Sequence, residues 1–215
     1  MNIEDLAQLR KEYSLHELDE QMVASDPVDQ FKSWFEEALQ AEVNEPNAFT
    51  LSTCGKSGWP SGRIVLLKEI IDQQFVFYTN YESDKAREMA ENPQIAMTFL
   101  WHELQRQVRI KGNVQKNERH RALHYFQSRP FESQLGAWAS PQSRIIENRS
   151  MLENQMADMR KQYEGQDKLP LPDHWGGYQI TPVEFEFWQG RRSRLHDRIK
   201  YINTESGWIV QRIAP

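Results

Sequence analysis

The segment Phe187–Arg198 reads F-W-Q-G-R-R-S-R-L-H-D-R and concentrates groups able to do chemistry. Between Gly190 and Lys200, five Lys/Arg stand against one acid, a local charge of +4 with His196 neutral, in a chain of net charge −5. Read as a strand, the segment projects Arg194, His196 and Arg198 from one face, because strand side chains alternate. Three such groups on one pleat repel one another unless something anionic sits against them. Trp188 and a turn at Gly190 add a flat apolar surface just upstream. The combination suits a ligand with both a phosphate and an aromatic ring.

Other cations fall into spaced groups. Arg63 and Lys68 flank a four-residue apolar run, differ in parity and so point to opposite faces of a strand. They read either as two surface cations with snorkelling stems or as contacts to two different anions. Tyr78-Thr79-Asn80 closes a strand, and Ser83-Asp84-Lys85 opens a helix. A helix N-terminus with lysine in its first turn attracts phosphate; a capped surface helix is the competing reading. Gln107 follows a turn after Trp101 and, if buried, offers a donor and an acceptor to a heterocycle edge. Tyr125, Arg129 and Ser133 fall within nine residues near a helix end. They form either a clamp for a phosphate monoester or an ordinary basic helix terminus. Gln142 and Ser143 add donors at the start of the next helix.

These groups need a scaffold. The 215 residues suit one domain, 1–215, with residues 1–27 as an N-terminal arm that includes a short helix near Ile3–Tyr13. Ser25-Asp26-Pro27 starts a helix with Phe31, Trp34, Phe35, Ala38 and Leu39 on one face. Strands are expected at Ala48–Thr53, Arg63–Ile71, Gln74–Thr79, Ile95–Trp101, Arg106–Val114, Val183–Gln189, Arg194–Ile202 and Trp208–Arg212. Helices are expected from a Ser83 cap through Glu91, over Asn117–Ser128 and over Ser140–Glu164, the last charged and facing solvent. Strands clustered early and late imply a mainly β fold: an antiparallel barrel with peripheral α-helices. The chain shows no βαβ alternation, no G-x-G-x-x-G, no Walker A and no G-x-S-x-G.

Composition narrows the function classes. Hydrophobic content of 39% and charged content of 27% fit a soluble globular chain. No apolar run approaches the ~18 residues of a membrane span, and Met1–Asp5 opens no signal peptide. Cys54 is the only cysteine, which excludes an internal disulfide and suits a reducing cytoplasm. No metal site is expected. Residues 1–30 carry −6 and the remaining 185 residues +1, which argues against a broad basic face for nucleic acid and for small anionic pockets.

Taken in order, these segments resemble the pyridoxamine 5′-phosphate oxidase family across nearly the whole chain. The likeness rests on Arg63-Ile-Val-Leu-Leu-Lys68, Phe77-Tyr-Thr-Asn80, Gln107-Val108, Tyr125-Phe-Gln-Ser-Arg-Pro130, Phe187-Trp-Gln-Gly190 and Arg194-Leu-His-Asp-Arg198. It implies a split β-barrel homodimer with flavin mononucleotide (FMN) in clefts between subunits. It implies FMN contacts from Arg63, Ile64, Val65, Leu66, Leu67, Lys68, Tyr78, Thr79, Lys85, Gln107, Gln142, Ser143, Trp188 and Arg198. Arg63 and Lys85 would lie at the FMN phosphate and Arg198 at the ring. It implies a substrate-phosphate clamp of Lys68, Tyr125, Arg129 and Ser133, and catalytic Arg194 and His196 beside Leu195 at the substrate ring. Arg10, Lys11, Glu12 and Tyr13 match a segment that closes over substrate.

The implied reaction oxidises pyridoxine or pyridoxamine 5′-phosphate to pyridoxal 5′-phosphate, with O2 as final acceptor and peroxide as by-product. Two positions depart from the family pattern. Asp84 replaces a common arginine, which removes one phosphate cation. Leu18-Asp19-Glu20 is acidic where some relatives are arginine-rich, which argues against a regulatory product site. A flavin reductase with another substrate and a non-catalytic flavin or pyridoxal-phosphate binder are the competing classes. The substrate clamp counts against the first, and the retained Arg194 and His196 against the second.

Overall fold

The computed structural model describes Glu12–Pro215. Arg10 and Lys11 lie outside the described residues, as does all of the expected Ile3–Tyr13 helix except its last two positions, which are not helical. Nine strands are described: β1 Ala48–Cys54, β2 Pro60–Leu66, β3 Glu69–Ile71, β4 Gln74–Asn80, β5 Gln94–Trp101, β6 Arg106–Lys116, β7 Trp175–Gln189, β8 Asp197–Thr204 and β9 Gly207–Arg212. The α-helices are α1 Pro27–Gln40, α2 Asp84–Glu91, α3 Arg119–Ser128, α4 Phe131–Ala139 and α5 Arg149–Gln162. The strand order is β2-β1-β5-β6-β7-β4-β3, with β8 on β7 and β9 on β8. No helix among the described residues is long and apolar enough to cross a membrane.

The chain divides into two compact units. One takes in Met1–Thr50, Met97–Lys111 and Val183–Pro215, of which the described part begins at Glu12. The other takes in Leu51–Ala96 and Gly112–Pro182.

The first unit is built on aromatic packing. Asp26 caps α1 by accepting from Val28 N at 2.7 Å, and Pro27 stands at the first turn, where its missing N–H costs nothing. Val28, Phe31, Trp34 and Ala38 form the buried stripe; Leu39, expected on that face, is 55% exposed. Phe31 meets Phe99 at 5.0 Å, and Trp34 meets Phe187 edge-on at 5.2 Å. On β7 and β8, Phe185, Phe187, Ile199 and Tyr201 are fully buried, while the alternate residues Glu184, Trp188, Arg198 and Lys200 are only partly covered. This is the period-2 division of a sheet with one apolar face. At the end of β7, buried Gln189 donates to the carbonyls of Leu104 and Gln105 and accepts from Arg106 Nε at 2.8 Å. Arg106 is 5% exposed; it pairs with Glu37 at 2.6 Å and its guanidinium lies 4.3 Å over Trp34. That cluster fixes the turn between β5 and β6 to the end of β7.

In the second unit β4 pairs antiparallel with both β3 and β7, placing Tyr78 opposite Gly177 and Thr79 opposite Gly176. A Cβ on Gly177 would come within 2.8 Å of the Tyr78 ring, so the glycine makes room for that aromatic. Tyr78 stacks on Tyr125 at 4.1 Å and on Trp175 at 5.6 Å. Phe126, Leu135, Tyr163, Leu169 and Trp175 form the buried cluster that receives α3 and α4.

Several boundaries differ from expectation. The Arg63–Ile71 strand breaks at Leu67-Lys68 into β2 and β3, so the parity argument for opposite faces does not apply. The expected Ser140–Glu164 helix starts only at Arg149, capped by Asn148 accepting from Met151 N at 3.1 Å. The helix α4 was not expected. The expected Arg194–Ile202 strand begins at Asp197, because Arg192–Arg194 form a single 3-10 turn. Ser193 (φ 55°) and Arg194 (φ 60°) are left-handed, which excludes strand geometry. Arg194, His196 and Arg198 therefore do not share a pleat.

Glu37→Ala should leave the Arg106 cation buried without its carboxylate. Because Glu37 is itself 42% exposed, the expected loss is about 2 kcal/mol, below that of a fully buried pair. A lower urea midpoint at unchanged slope, against no change for exposed Glu36→Ala, is the outcome to measure.

Candidate active site

The second unit carries a group of polar side chains around Lys85. At the end of β4, Thr79 Oγ1 donates to Gln142 Oε1 at 3.2 Å. Lys85 Nζ lies 2.9 Å from Gln142 Oε1 and 3.2 Å from both Thr79 Oγ1 and Ser83 Oγ. Ser83 stands at the N-cap of α2, but its hydroxyl donates to Asn80 O instead of capping the helix. All the acceptors that Lys85 meets here are neutral. Burial, then the nearby Arg63 charge, pulls the Lys85 amine down to about 8. A cation in that position favours an anionic ligand.

Arg63 is held differently. Its Nη2 pairs with Glu88 at 3.0 Å, and its Nη1 donates to Leu51 O and to the Thr53 hydroxyl. Glu88 also accepts from Ser61 at 2.9 Å and from Thr53. Burial pushes the Glu88 carboxyl up, but these hydrogen bonds and Arg63 together hold it below the ordinary range. Asp84 is paired with Arg87 one turn along α2, both well exposed.

Arg129 and Ser133 lie at the α3–α4 junction and line a cavity of about 260 Å³ together with Asn80, Ser140, Gln142 and Trp175. The Arg129 guanidinium sits 4.9 Å over the Trp175 ring. Its Nη1 is buried and has no hydrogen-bond partner. Burial lowers the Arg129 pKa, with Tyr125 opposing. Tyr125 stacks on Tyr78, whose hydroxyl donates to Glu69 at 2.7 Å. Gln142 lines the same cavity, so Lys85 and Arg129 share a neighbour. Lys68 is exposed between β2 and β3 and donates its backbone N–H to Val76 O at 2.9 Å. Along the preceding run Ile64 is exposed, Val65 and Leu66 are half-buried and Leu67 is buried. Ser143 is exposed with a left-handed φ of 66°.

The first unit carries the aromatic group. Trp188 and His196 lie 4.6 Å apart, and the Tyr13 ring meets both edge-on at 5.9 and 5.8 Å. Tyr13 packs on Gly190, where any Cβ would come within 2.8 Å of it. Gln105 fixes this arrangement: its side chain accepts from Ser14 N at 3.0 Å, and its carbonyl accepts from Gly190 N at 2.8 Å. His196 Nδ1 accepts from Arg191 N at 3.0 Å. Burial, then Arg194, lowers the His196 pKa, so the ring is neutral at pH 7 with its proton on Nε2. Arg194 and Leu195 are exposed on the 3-10 turn and after it; Glu12 is exposed and Gln107 half-buried. Trp188 lies opposite Arg198 in the β7–β8 register.

The residues expected from sequence thus fall into two sets. Arg63, Lys85, Thr79, Gln142, Tyr125, Arg129 and Ser133 belong to the second unit; Tyr13, Gln107, Trp188, Arg194, His196 and Arg198 belong to the first. Gln105, Glu88 and Trp175 were not foreseen. His120 and His124 have the i, i+4 spacing of a metal pair, which the sequence reading passed over. Both are exposed on α3, and among the described residues no group of three or more potential ligands forms.

Lys85 predicts a pH dependence. Its amine is charged below about pH 8 in the free protein, and an anion bound against it raises its pKa back toward the ordinary 10.5. Affinity for a phosphate-bearing ligand should therefore fall as pH rises above 8, by at most about tenfold per unit. FMN titrations from pH 7 to 9.5 test this, and Lys85→Met should abolish the slope.

Residues 35–163 match the family described as Pyridoxamine 5′-phosphate oxidase. Residues 175–215 match the Pyridoxine 5′-phosphate oxidase C-terminal dimerisation region. The pyridoxine/pyridoxamine 5′-phosphate oxidase of Salinibacter ruber is 49% identical over 98% of this chain and 99% of its own length. That of Polynucleobacter asymbioticus is 51% identical over 99% of this chain and 100% of its own. Among solved structures, PhzG from Burkholderia lata 383, in complex with tetrahydrophenazine-1-carboxylic acid, superposes with a TM-score of 0.87 at 28% identity. It covers 94% of this chain and 100% of that one. A pyridoxamine 5′-phosphate oxidase-related, FMN-binding protein of Nostoc punctiforme shares the fold at a TM-score of 0.69 and 16% identity. The expected fold class, a mainly β antiparallel split barrel with peripheral helices, is borne out. With both family regions matched and about half of all positions identical across full-length relatives, the chain belongs to the pyridoxine/pyridoxamine 5′-phosphate oxidase family of oxidoreductases.

Proposed function

We propose that the protein is an FMN-dependent oxidase converting pyridoxine or pyridoxamine 5′-phosphate to pyridoxal 5′-phosphate in cytoplasmic vitamin B6 synthesis and salvage. It works as a homodimer of single-domain chains with FMN at the subunit interface, without nucleic-acid or membrane partners. The observation that carries this reading is Arg129. A buried guanidinium nitrogen without a hydrogen-bond partner is costly unless a ligand completes it. Here it lines a cavity with the Ser133 hydroxyl, stacked on an aromatic ring. The donor set fits a phosphate monoester.

FMN, when bound, would supply the two-electron acceptor for oxidation at the substrate C4′, with O2 as final acceptor and peroxide as by-product; the amine substrate would also consume water and release ammonia. The protein supplies position and field. Arg63 and Lys85 hold the cofactor phosphate, with Thr79, Gln142 and Ser143 as neutral donors; Tyr78 and the Ile64–Lys68 run line the cofactor. Lys68, Tyr125, Arg129 and Ser133 clamp the substrate phosphate, which leaves the ring little freedom. Gln107 and Trp188 would contact the cofactor ring, and Arg198 would set positive charge beside it, which favours taking up electrons there. Arg194 orients the substrate ring substituents beside Leu195. His196 donates from Nε2, because Nδ1 is already committed to the Arg191 backbone. Arg10, Lys11, Glu12 and Tyr13 close over the substrate, and the Tyr13 contacts with Trp188 and His196 support that role.

Peroxide release from both phosphorylated substrates, in protein reconstituted with FMN, tests the activity directly; a colourless protein that releases none would refute it. Arg129→Ala should raise KM for the phosphorylated substrate by roughly 10- to 150-fold, the equivalent of about 1.5–3 kcal/mol for one charge-assisted contact, with kcat little changed. Arg194→Ala should lower turnover far more than flavin retention; equal losses would remove Arg194 from the substrate side.

A further inference from the structure

The non-core face of the first unit carries two charge triplets in register. Gln107, Arg109 and Lys111 share one side of β6, Glu184, Glu186 and Trp188 one side of β7, and Arg198 and Lys200 one side of β8. Glu186 Oε2 lies 3.3 Å from Arg109 Nη1, and Glu186 Oε1 lies 2.9 Å from Arg198 Nε and 2.8 Å from Arg198 Nη2. One step along β7, Glu184 bridges Lys111 at 3.1 Å and Lys200 at 2.9 Å. Each triplet sets one carboxylate between two cations.

The triplets differ in what they border. Glu186 is 7% exposed and directly follows the core residue Phe185. Its neighbours along the face are Trp188 and Arg198, both assigned above to the cofactor ring. The remaining Arg198 nitrogen, Nη1, donates to Ala214 O at 2.8 Å, so the guanidinium is held on two sides. A carboxylate this close to a group meant to stabilise negative charge would oppose it unless its own charge is balanced. Arg109 supplies that balance from the far side.

We infer that Glu186 is a positioning residue for Arg198, and that the Arg109–Glu186–Arg198 triplet sets how much positive charge the flavin ring feels. This rests on the assignment of Arg198, Trp188 and Gln107 to the cofactor. Glu186 fixes the guanidinium plane, and Arg109 draws the carboxylate's field away from it. The Lys111–Glu184–Lys200 triplet has the same composition in charge but is displaced by two residues, about 7 Å along the strand. It serves as the internal control.

The experiment compares FMN-reconstituted wild type, Glu186→Gln, Arg109→Gln, Glu184→Gln and Lys111→Gln. The readouts are the FMN dissociation constant, by fluorescence titration, and the two-electron midpoint potential. Gln at 186 keeps an acceptor for Arg198 Nε and removes the charge. Glu186→Gln should favour reduced over oxidised flavin by about tenfold, a rise of about 30 mV, and the two control variants should change the ratio less than about threefold. Arg109→Gln leaves the carboxylate facing Arg198 alone and should shift the potential down. Because Arg109 is half exposed, that variant carries the test if Glu186→Gln does not fold. An unchanged or lowered potential in Glu186→Gln, an unchanged or raised one in Arg109→Gln, or an equal shift in Glu184→Gln, overturns the inference. A wild type that binds no FMN overturns the cofactor assignment itself, and this inference with it.

Discussion

A cation taken out of water must find negative charge, and the source of that charge separates the structural cations of this protein from the functional ones. Arg106 is matched within the chain: a carboxylate, an amide oxygen and an indole face surround it. Arg63 and Arg198 also have carboxylate partners within the chain, which orient them. Lys85 meets neutral acceptors, and Arg129 has one buried nitrogen with no acceptor at all. On the proposed roles, those two groups take their negative charge from a bound ligand. The division follows the proposed roles: a carboxylate partner within the chain for architecture and orientation, none for ligand capture.

The same constraint explains why β7 matters so much. Its odd-numbered residues Phe185 and Phe187 pack into the aromatic core with Trp34 and Tyr201. That packing fixes the pleat, because a slip by one residue would expose both phenylalanines and turn Glu184 and Trp188 into the core. The register then places Trp188 opposite Arg198 without any interaction chosen for that purpose. At the other end of the strand, Gly176 and Gly177 face Thr79 and Tyr78, and the stack of Tyr125, Tyr78 and Trp175 gives Arg129 its platform. Core packing in one stretch and glycine clearance in another thus position groups of both polar clusters.

Much of this was legible in sequence because it follows from period and punctuation. The α1 start at Asp26-Pro27, most strands, and the α2 end at Asn92-Pro93 all carry local signals. The illegible parts lack such signals. Ser193 and Arg194 take left-handed backbone at residue types that do not advertise it, so the basic run was read as a strand. Ser140-Pro141 imitates a helix start, whereas the cap in use is Asn148. Helix α4 follows a proline and includes a glycine, which hid it. At the candidate site, residue types pointed to Lys85, Arg129 and Trp188, but not to the groups that hold the neighbouring side chains in place. Glu88, Gln105 and Glu186 become visible only when segments distant in sequence are side by side.

The misread turn has a chemical consequence that a regular strand would lack. Extended backbone from Arg191 to His196 would separate these residues by about 16 Å. The 3-10 turn with its left-handed pair instead returns the chain, so that Arg191 N reaches His196 Nδ1 at 3.0 Å. A backbone N–H cannot accept, so this contact requires Nδ1 to be the unprotonated nitrogen of the ring. The proton of the neutral form is thereby fixed on Nε2, with partial burial and the Arg194 charge both disfavouring a second proton. Strained backbone at two residues thus selects one tautomer, and the tautomer selects donation over proton abstraction as the ground-state property of His196. Taking up a proton at Nδ1 would break the contact with Arg191, so general-base chemistry at that atom would have to disrupt the turn that shapes the site.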